Sequence, residues 1–131
     1  ATKAERLQVA LSVLRQGKMM FITPDTPRKS NEGVAVNILG RRTHFPTGVS
    51  IMSARTGAPI IPVFWHWDGD AYIVRYLEPL EISRGRAIGR RAEAVTVKWA
   101  ECVDAFIREH PAVWWNWLDK RWTQIIRDGQ V

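Results

Sequence analysis

The sequence predicts an α/β domain, a mixed sheet flanked by helices and ending in two C-terminal helices. Three observations carry this. An amphipathic stretch stops at Gly17 and gives way at once to the apolar run "KMMFIT". A longer apolar run, "APIIPVFWHW", turns back on itself through "DGD". Helical periodicity then governs residues 92–109 and resumes after Pro111. Helix, glycine, buried strand is the grammar of layered α/β folds.

Each element follows in order. Leu7, Ala10, Leu11 and Leu14 recur at helical spacing among polar residues, which predicts a helix over 3–16 with Gly17 as its stop. "KMMFIT" (18–23), bounded by Gly17 and Pro24, reads as a buried strand. "PDTPRKSNEG" (24–33) is a polar loop and "VAVNILG" (34–40) a strand, followed by "RRTHFP". Thr47 is a candidate cap for a helix running to Gly57. Residues 58–67 and 71–82 read as partner strands, because Asp-Gly tolerates the positive φ of a hairpin turn. "SRGRAIGRR" (83–91) reads as a loop. The helix over 92–109 puts Val95, Trp99, Val103, Phe106 and Ile107 on one side, and Pro111 can open a last helix over 112–127. Within it Trp114, Leu118 and Trp122 recur at i, i+4 and i+8, which predicts a core-facing stripe, with Trp115 and Trp117 pointing elsewhere as candidates for a membrane-interface belt.

At 131 residues, 46% hydrophobic and 24% charged, the chain has the composition of one folded domain with a real core. It shows no repeat, no low-complexity run and no apolar run approaching the roughly 20 residues of a membrane span. The single cysteine, Cys102, excludes a disulfide framework or a cysteine zinc site and reads as a small core residue. The net charge of +6 lies wholly in residues 1–60, with nine Lys/Arg against three Asp/Glu; residues 61–131 hold ten of each. A basic first half favours an anionic partner.

Sites of known chemistry are mostly absent. There is no HExxH, no Cys/His cluster, no GxSxG and no P-loop, and no metal site is expected. His66 and Asp70 flank the hairpin turn and are expected to point apart. His44 has no partner in sequence, and His110 sits where it can interact with helix-end carbonyls. The richest polar stretch is 24–42. It follows a strand end, where ligands of open α/β sheets gather, and Arg28, Lys29, Arg41 and Arg42 there could hold phosphate oxygens.

Five segments, "LRQGKMMFITPD", "EGVAVNILGR", "PTGVSIMSARTGAPIIPVF", "DGDAYIVRYLEPLEI" and "HPAVWWNWLDKRW", occur in an order and spacing that resemble the C-terminal part of bacterial lipid A biosynthesis acyltransferases of the lauroyl/myristoyl type. That family lies in the lysophospholipid acyltransferase superfamily, and the resemblance covers roughly residues 7–122. It implies part of a glycerolipid-acyltransferase-like fold, and transfer of an acyl group from acyl carrier protein or acyl-CoA to a hydroxyl of a lipid acceptor. It implies no cofactor and no metal, and a place at the cytoplasmic face of the bacterial inner membrane, peripheral or anchored by a segment outside this chain. The family's catalytic His, with an acid four or five positions on, has no counterpart here. His44 is followed at those positions by Gly48 and Val49, and His110 by Trp114 and Trp115. The resemblance therefore implies that 1–131 is the C-terminal portion of a longer enzyme and is inactive alone. By the same resemblance Asp25 matches the "PD" after the strand, Glu32 and Gly33 the "EG" of the acceptor-binding segment, and Pro62 the proline of the site-shaping strand. Arg28, Lys29 and Arg41 follow as phosphate or carrier contacts. "NIL" stands where the family often has aromatics, and Asp119 replaces a histidine of the usual "WLHRRW", which removes any role borrowed from that histidine.

Two other classes compete. A nucleic-acid module would pair the pI of about 10.1 with stacking tryptophans. Here four of the seven tryptophans lie within residues 114–122, in the neutral half. A non-catalytic scaffold domain would share the fold and lack the chemistry.

Overall fold

The computed structural model describes residues 2–82 and 87–128. The first helix, α1 (Lys3–Arg15), starts with a reciprocal capping box: Glu5 N–H donates to Thr2 Oγ1 (3.1 Å), and Thr2 N–H donates to the Glu5 carboxylate (2.6 Å). The next segment corrects the sequence reading. Residues 18–23 are not a strand. Met19 to Thr23 make no backbone hydrogen bond among the described residues, and Met19 and Phe21 are 81% and 75% exposed. A strand requires a paired neighbour, and none of the described strands pairs with this segment.

β1 (Val34–Ile38) and β2 (Arg41–Phe45) form an antiparallel hairpin, with Val34 opposite Phe45 and Ile38 opposite Arg41. Its turn is Leu39-Gly40, both at positive φ (51° and 74°). Leu39 is an unusual residue for that conformation. Its N–H is held by Asp104 Oδ1 at 2.6 Å. α2 (Gly48–Thr56) starts after Thr47, whose side chain makes no cap bond, and ends at left-handed Gly57.

The second hairpin joins β3 (Val63–Asp68) to β4 (Ala71–Tyr76), shorter than the predicted runs; beyond them Leu77 N–H donates to Pro62 O at 3.0 Å and Ile60 forms a bridge with Leu80. Among the described residues the strands thus pair as two separate antiparallel hairpins, set among four α-helices. The predicted loop 83–91 falls partly on residues 83–86, outside the described residues. α3 (Ile88–Glu109) begins four residues before the predicted 92.

α3 is the hub. Val36, Ile38 and Phe45 from the first hairpin meet Ala100, Val103 and Ile107, and Trp114, Trp122 and Ile125 close the cluster. Phe45 meets Trp122 edge-on, with ring centroids 6.0 Å apart. On another side Phe64 stacks between Trp99 and Phe106.

The C-terminus is a second correction. Residues 111–118 are two 3₁₀ turns (Pro111–Val113 and Trp115–Leu118), and only Lys120–Asp128 is α-helical (α4). The break undoes the i, i+4, i+8 stripe: Trp114 and Trp122 are buried, but Leu118 is 84% exposed. Asp119 has a local task here. Its Oδ1 accepts Arg121 N–H at 2.8 Å and caps α4. Its carboxyl is held below the usual range, first by the Arg121 side chain.

Candidate functional site

The described residues line an open-mouthed cavity of about 530 Å³. Its wall is built from the end of α1, the extended segment 19–25, α2, residues 58–65, one side of α3 and residues 113–115. The lining is mainly apolar, with Met20, Ile60, Phe64, Trp99, Val103 and Trp114 among its side chains. Buried hydroxyls interrupt it. Ser50 Oγ and Thr96 Oγ1 lie 2.9 Å apart, joining α2 to α3, and Ser53 Oγ donates to Ala58 O at 2.5 Å. Among the described residues Asp25 is the one acidic or basic side chain in the lining.

Asp25 owes its position to the tryptophan-rich end. Its Oδ2 accepts Trp114 Nε1–H at 3.3 Å and Asn116 Nδ2–H at 2.5 Å, and its backbone carbonyl accepts Trp122 Nε1–H at 3.0 Å. Thus "WWNWLDKRW" supplies both core and the grip on a cavity-lining carboxylate. Oδ1 makes no hydrogen bond among the described residues.

The residues named from the sequence separate into two sets. Asp25 and the buried Pro62 line the cavity together. Arg28, Lys29, Glu32, Gly33 and Arg41 do not. The 28–32 loop is tied to the first hairpin by Arg28 N–H to His44 O (2.8 Å) and turns through Glu32 N–H to Lys29 O (2.9 Å). Gly33 is packed so closely on β2 that a Cβ would stand 2.4 Å from Phe45 O. Arg28, Lys29, Arg41 and Arg42 are exposed and make no ion pair among the described residues.

A second cluster escaped sequence reasoning. His66 is buried, and its ring stacks on His110 at a centroid distance of 3.8 Å. Arg75 grips Glu109 through both terminal nitrogens (3.2 and 3.1 Å) and lies 3.3 Å from His110 Nε2. His66 and Asp70 share no hydrogen bond or ion pair among the described residues, and His110 meets the helix end as its cap, its backbone N–H donating to Phe106 O at 2.8 Å while its ring stacks on His66. The alternation of β3 was the available signal: it puts His66 on the same face as Phe64, toward α3. The cluster ties the second hairpin to the end of α3. No group of three or more His, Cys, Asp or Glu side chains converges to hold a metal ion among the described residues. Cys102 is half-buried, and burial pushes its thiol pKa up, away from nucleophile range. No helix among the described residues is long and apolar enough to cross a membrane.

Comparison with known proteins adds two findings. The family described as bacterial lipid A biosynthesis acyltransferase matches residues 1–124. The chain is also similar to the phosphatidylinositol mannoside acyltransferase of Mycolicibacterium smegmatis (strain ATCC 700084 / mc(2)155), 29% identical over 99 residues. That similarity takes in 76% of this chain and 31% of the relative, so the chain spans under a third of that relative's length.

Proposed function

The chain belongs to the bacterial lipid A biosynthesis acyltransferase family, and from that premise we propose that it forms the substrate-side part of an enzyme transferring a fatty acyl group to a hydroxyl of a glycolipid. The single observation that carries this is the largely apolar cavity of about 530 Å³ with one carboxylate, Asp25, in its wall. Apolar walls suit an acyl chain, because burying each methylene is worth about 0.8 kcal/mol. Lipid A and phosphatidylinositol mannosides are both sugar-bearing lipids, which favours a sugar hydroxyl as the acceptor. The unengaged Oδ1 of Asp25 is placed to accept a hydrogen bond from such a headgroup. The exposed Arg28, Lys29 and Arg41 suit its phosphates or an acidic carrier protein.

In this reading the catalytic His and its acid stand on sequence ahead of residue 1. The imidazole takes the proton of the acceptor hydroxyl, whose oxygen attacks the thioester carbonyl carbon. The tetrahedral intermediate collapses, the C–S bond breaks, and the thiol leaves with the proton returned by the imidazolium. The ester product and free thiol balance the reaction without a metal or redox cofactor. The site of action is the membrane face where such lipids lie.

The test is a transfer assay with an acyl thioester of carrier protein or CoA and a glycolipid acceptor. The product of the whole gene, carrying an upstream His–acid motif, is expected to transfer the acyl group, and residues 1–131 alone to transfer none. Turnover by 1–131 alone, or none by the longer product with any such pair, contradicts the proposal.

A further inference from the structure

Leu118 was expected in the core, and the structure puts it at the end of the 3₁₀ turn Trp115–Leu118 instead. Three apolar side chains of that turn face solvent: Trp115 is 76% exposed, Trp117 40% and Leu118 84%. The backbone that carries them is held from behind. Trp114 is buried and bonded to Asp25, Trp117 Nε1–H donates to Pro111 O (2.7 Å), and Thr123 Oγ1–H donates to Trp117 O (3.3 Å). A turn fixed in advance loses little freedom on binding, so its apolar area goes into affinity.

We infer that Trp115, Trp117 and Leu118 form a wedge that enters the headgroup and upper acyl layer of an anionic lipid bilayer. The inference deepens the proposed function and rests on it for its purpose, the delivery of lipid substrates to the cavity. Three observations select this occupant. The first is composition: indoles, with an apolar body and a polar N–H, settle at the boundary between headgroups and hydrocarbon, and Leu118 beside them suits the layer below. The second is charge. Lys120 follows the turn, exposed and without an ion pair among the described residues, whereas Arg121 is taken up by Asp119. Arg28 and Lys29, also exposed, lie a few residues beyond Asp25, which Trp114 and Asn116 hold. Cations around an apolar turn complement anionic headgroups. The third is continuity: Trp115 also lines the cavity, so a wedge seated in the bilayer sets the cavity mouth at the level where lipid substrates lie. A four-residue turn enters one leaflet and does not span.

Flotation of residues 1–131 with vesicles of phosphatidylcholine and phosphatidylglycerol tests this. The wild-type chain is expected to bind. Leu118→Lys is the decisive variant, because the two ways of attaching to an anionic surface predict opposite signs. Insertion predicts that binding falls roughly tenfold, since an apolar group is lost from the bilayer and a charge takes its place. Attachment by charge alone predicts that binding rises, since a cation is added. Trp115→Ser is expected to weaken binding in the same direction as Leu118→Lys. Lys120→Gln is expected to weaken it about fivefold on vesicles containing phosphatidylglycerol and little on pure phosphatidylcholine. Unchanged or tighter binding of Leu118→Lys overturns the inference, as does a wild-type chain that binds no vesicle. So does self-association that rises with protein concentration and is lost in Leu118→Lys, which assigns the turn to a second copy. An acyl-transfer assay on the product of the whole gene separates the two ideas. Wedge-dependent binding without transfer leaves the wedge standing and removes the function, and transfer without wedge-dependent binding does the reverse.

Discussion

Asp25 is the residue on which the cavity and the C-terminus meet. Replacing it by alanine leaves the Trp114 and Asn116 donors without their acceptor. Orphaned buried donors cost about 1–3 kcal/mol each, so urea unfolding of Asp25→Ala is expected to show a loss of that order, and Asp25→Asn, which keeps one oxygen, a smaller one. Asp25 was singled out in the sequence only by its place after the apolar run and by the resemblance. Its mechanical role was not legible there, because its partners lie 89 and 91 residues away. Charge behaves similarly at Glu109. The hydrogen bond from Arg75 holds its carboxyl below the usual range. A depressed carboxyl contributes stability above its unfolded pKa, near 4.3, and loses it as pH falls through the lower folded value. Acid unfolding curves of wild type and Glu109→Gln are therefore expected to separate above about pH 4 and to converge below it. An unchanged gap down to the acid limit contradicts the assignment.

Elements were legible where local chemistry fixed them. α1 was marked by the spacing of Leu7, Ala10, Leu11 and Leu14 and by Gly17, α2 by Gly57, and the second hairpin by Asp-Gly. The failures share a cause: tertiary partners overrode local pattern. The β1–β2 turn is Leu39-Gly40, which lacks the usual Asn-Gly signal and leans on distant Asp104. Met19–Thr23 has strand composition but pairs with no strand among the described residues. The tryptophan run has helical spacing but folds as 3₁₀ turns after Pro111. That last difference is measurable. An unbroken helix would need both Leu118 and Trp122 in the core. The observed break leaves Leu118→Lys near neutral in thermal or urea unfolding, whereas Trp122→Ala should cost about 3–5 kcal/mol. Equal losses at the two positions would restore the continuous helix.

At the scale of the whole molecule, α3 carries a hairpin on each of two sides, and the space beside it becomes a cavity. That cavity was not legible beforehand, because its walls come from segments spread from Leu14 to Trp115. What the sequence did carry was the order of motifs, and the family match over residues 1–124 agrees with it. Trp114 and Trp122 are committed to the core, while Trp65, Trp67, Trp115 and Trp117 stay exposed in the half of the chain that carries no charge excess. The central claim is that the cavity holds the acyl chain. Photolabelling the product of the whole gene with a long-chain acyl thioester carrying a terminal diazirine tests it most directly. Adducts are expected on cavity residues such as Met20, Ile60, Phe64 and Val103, and are expected to disappear when unlabelled thioester competes. Adducts confined to the exposed basic loops, or spread over the surface and indifferent to competitor, would contradict it.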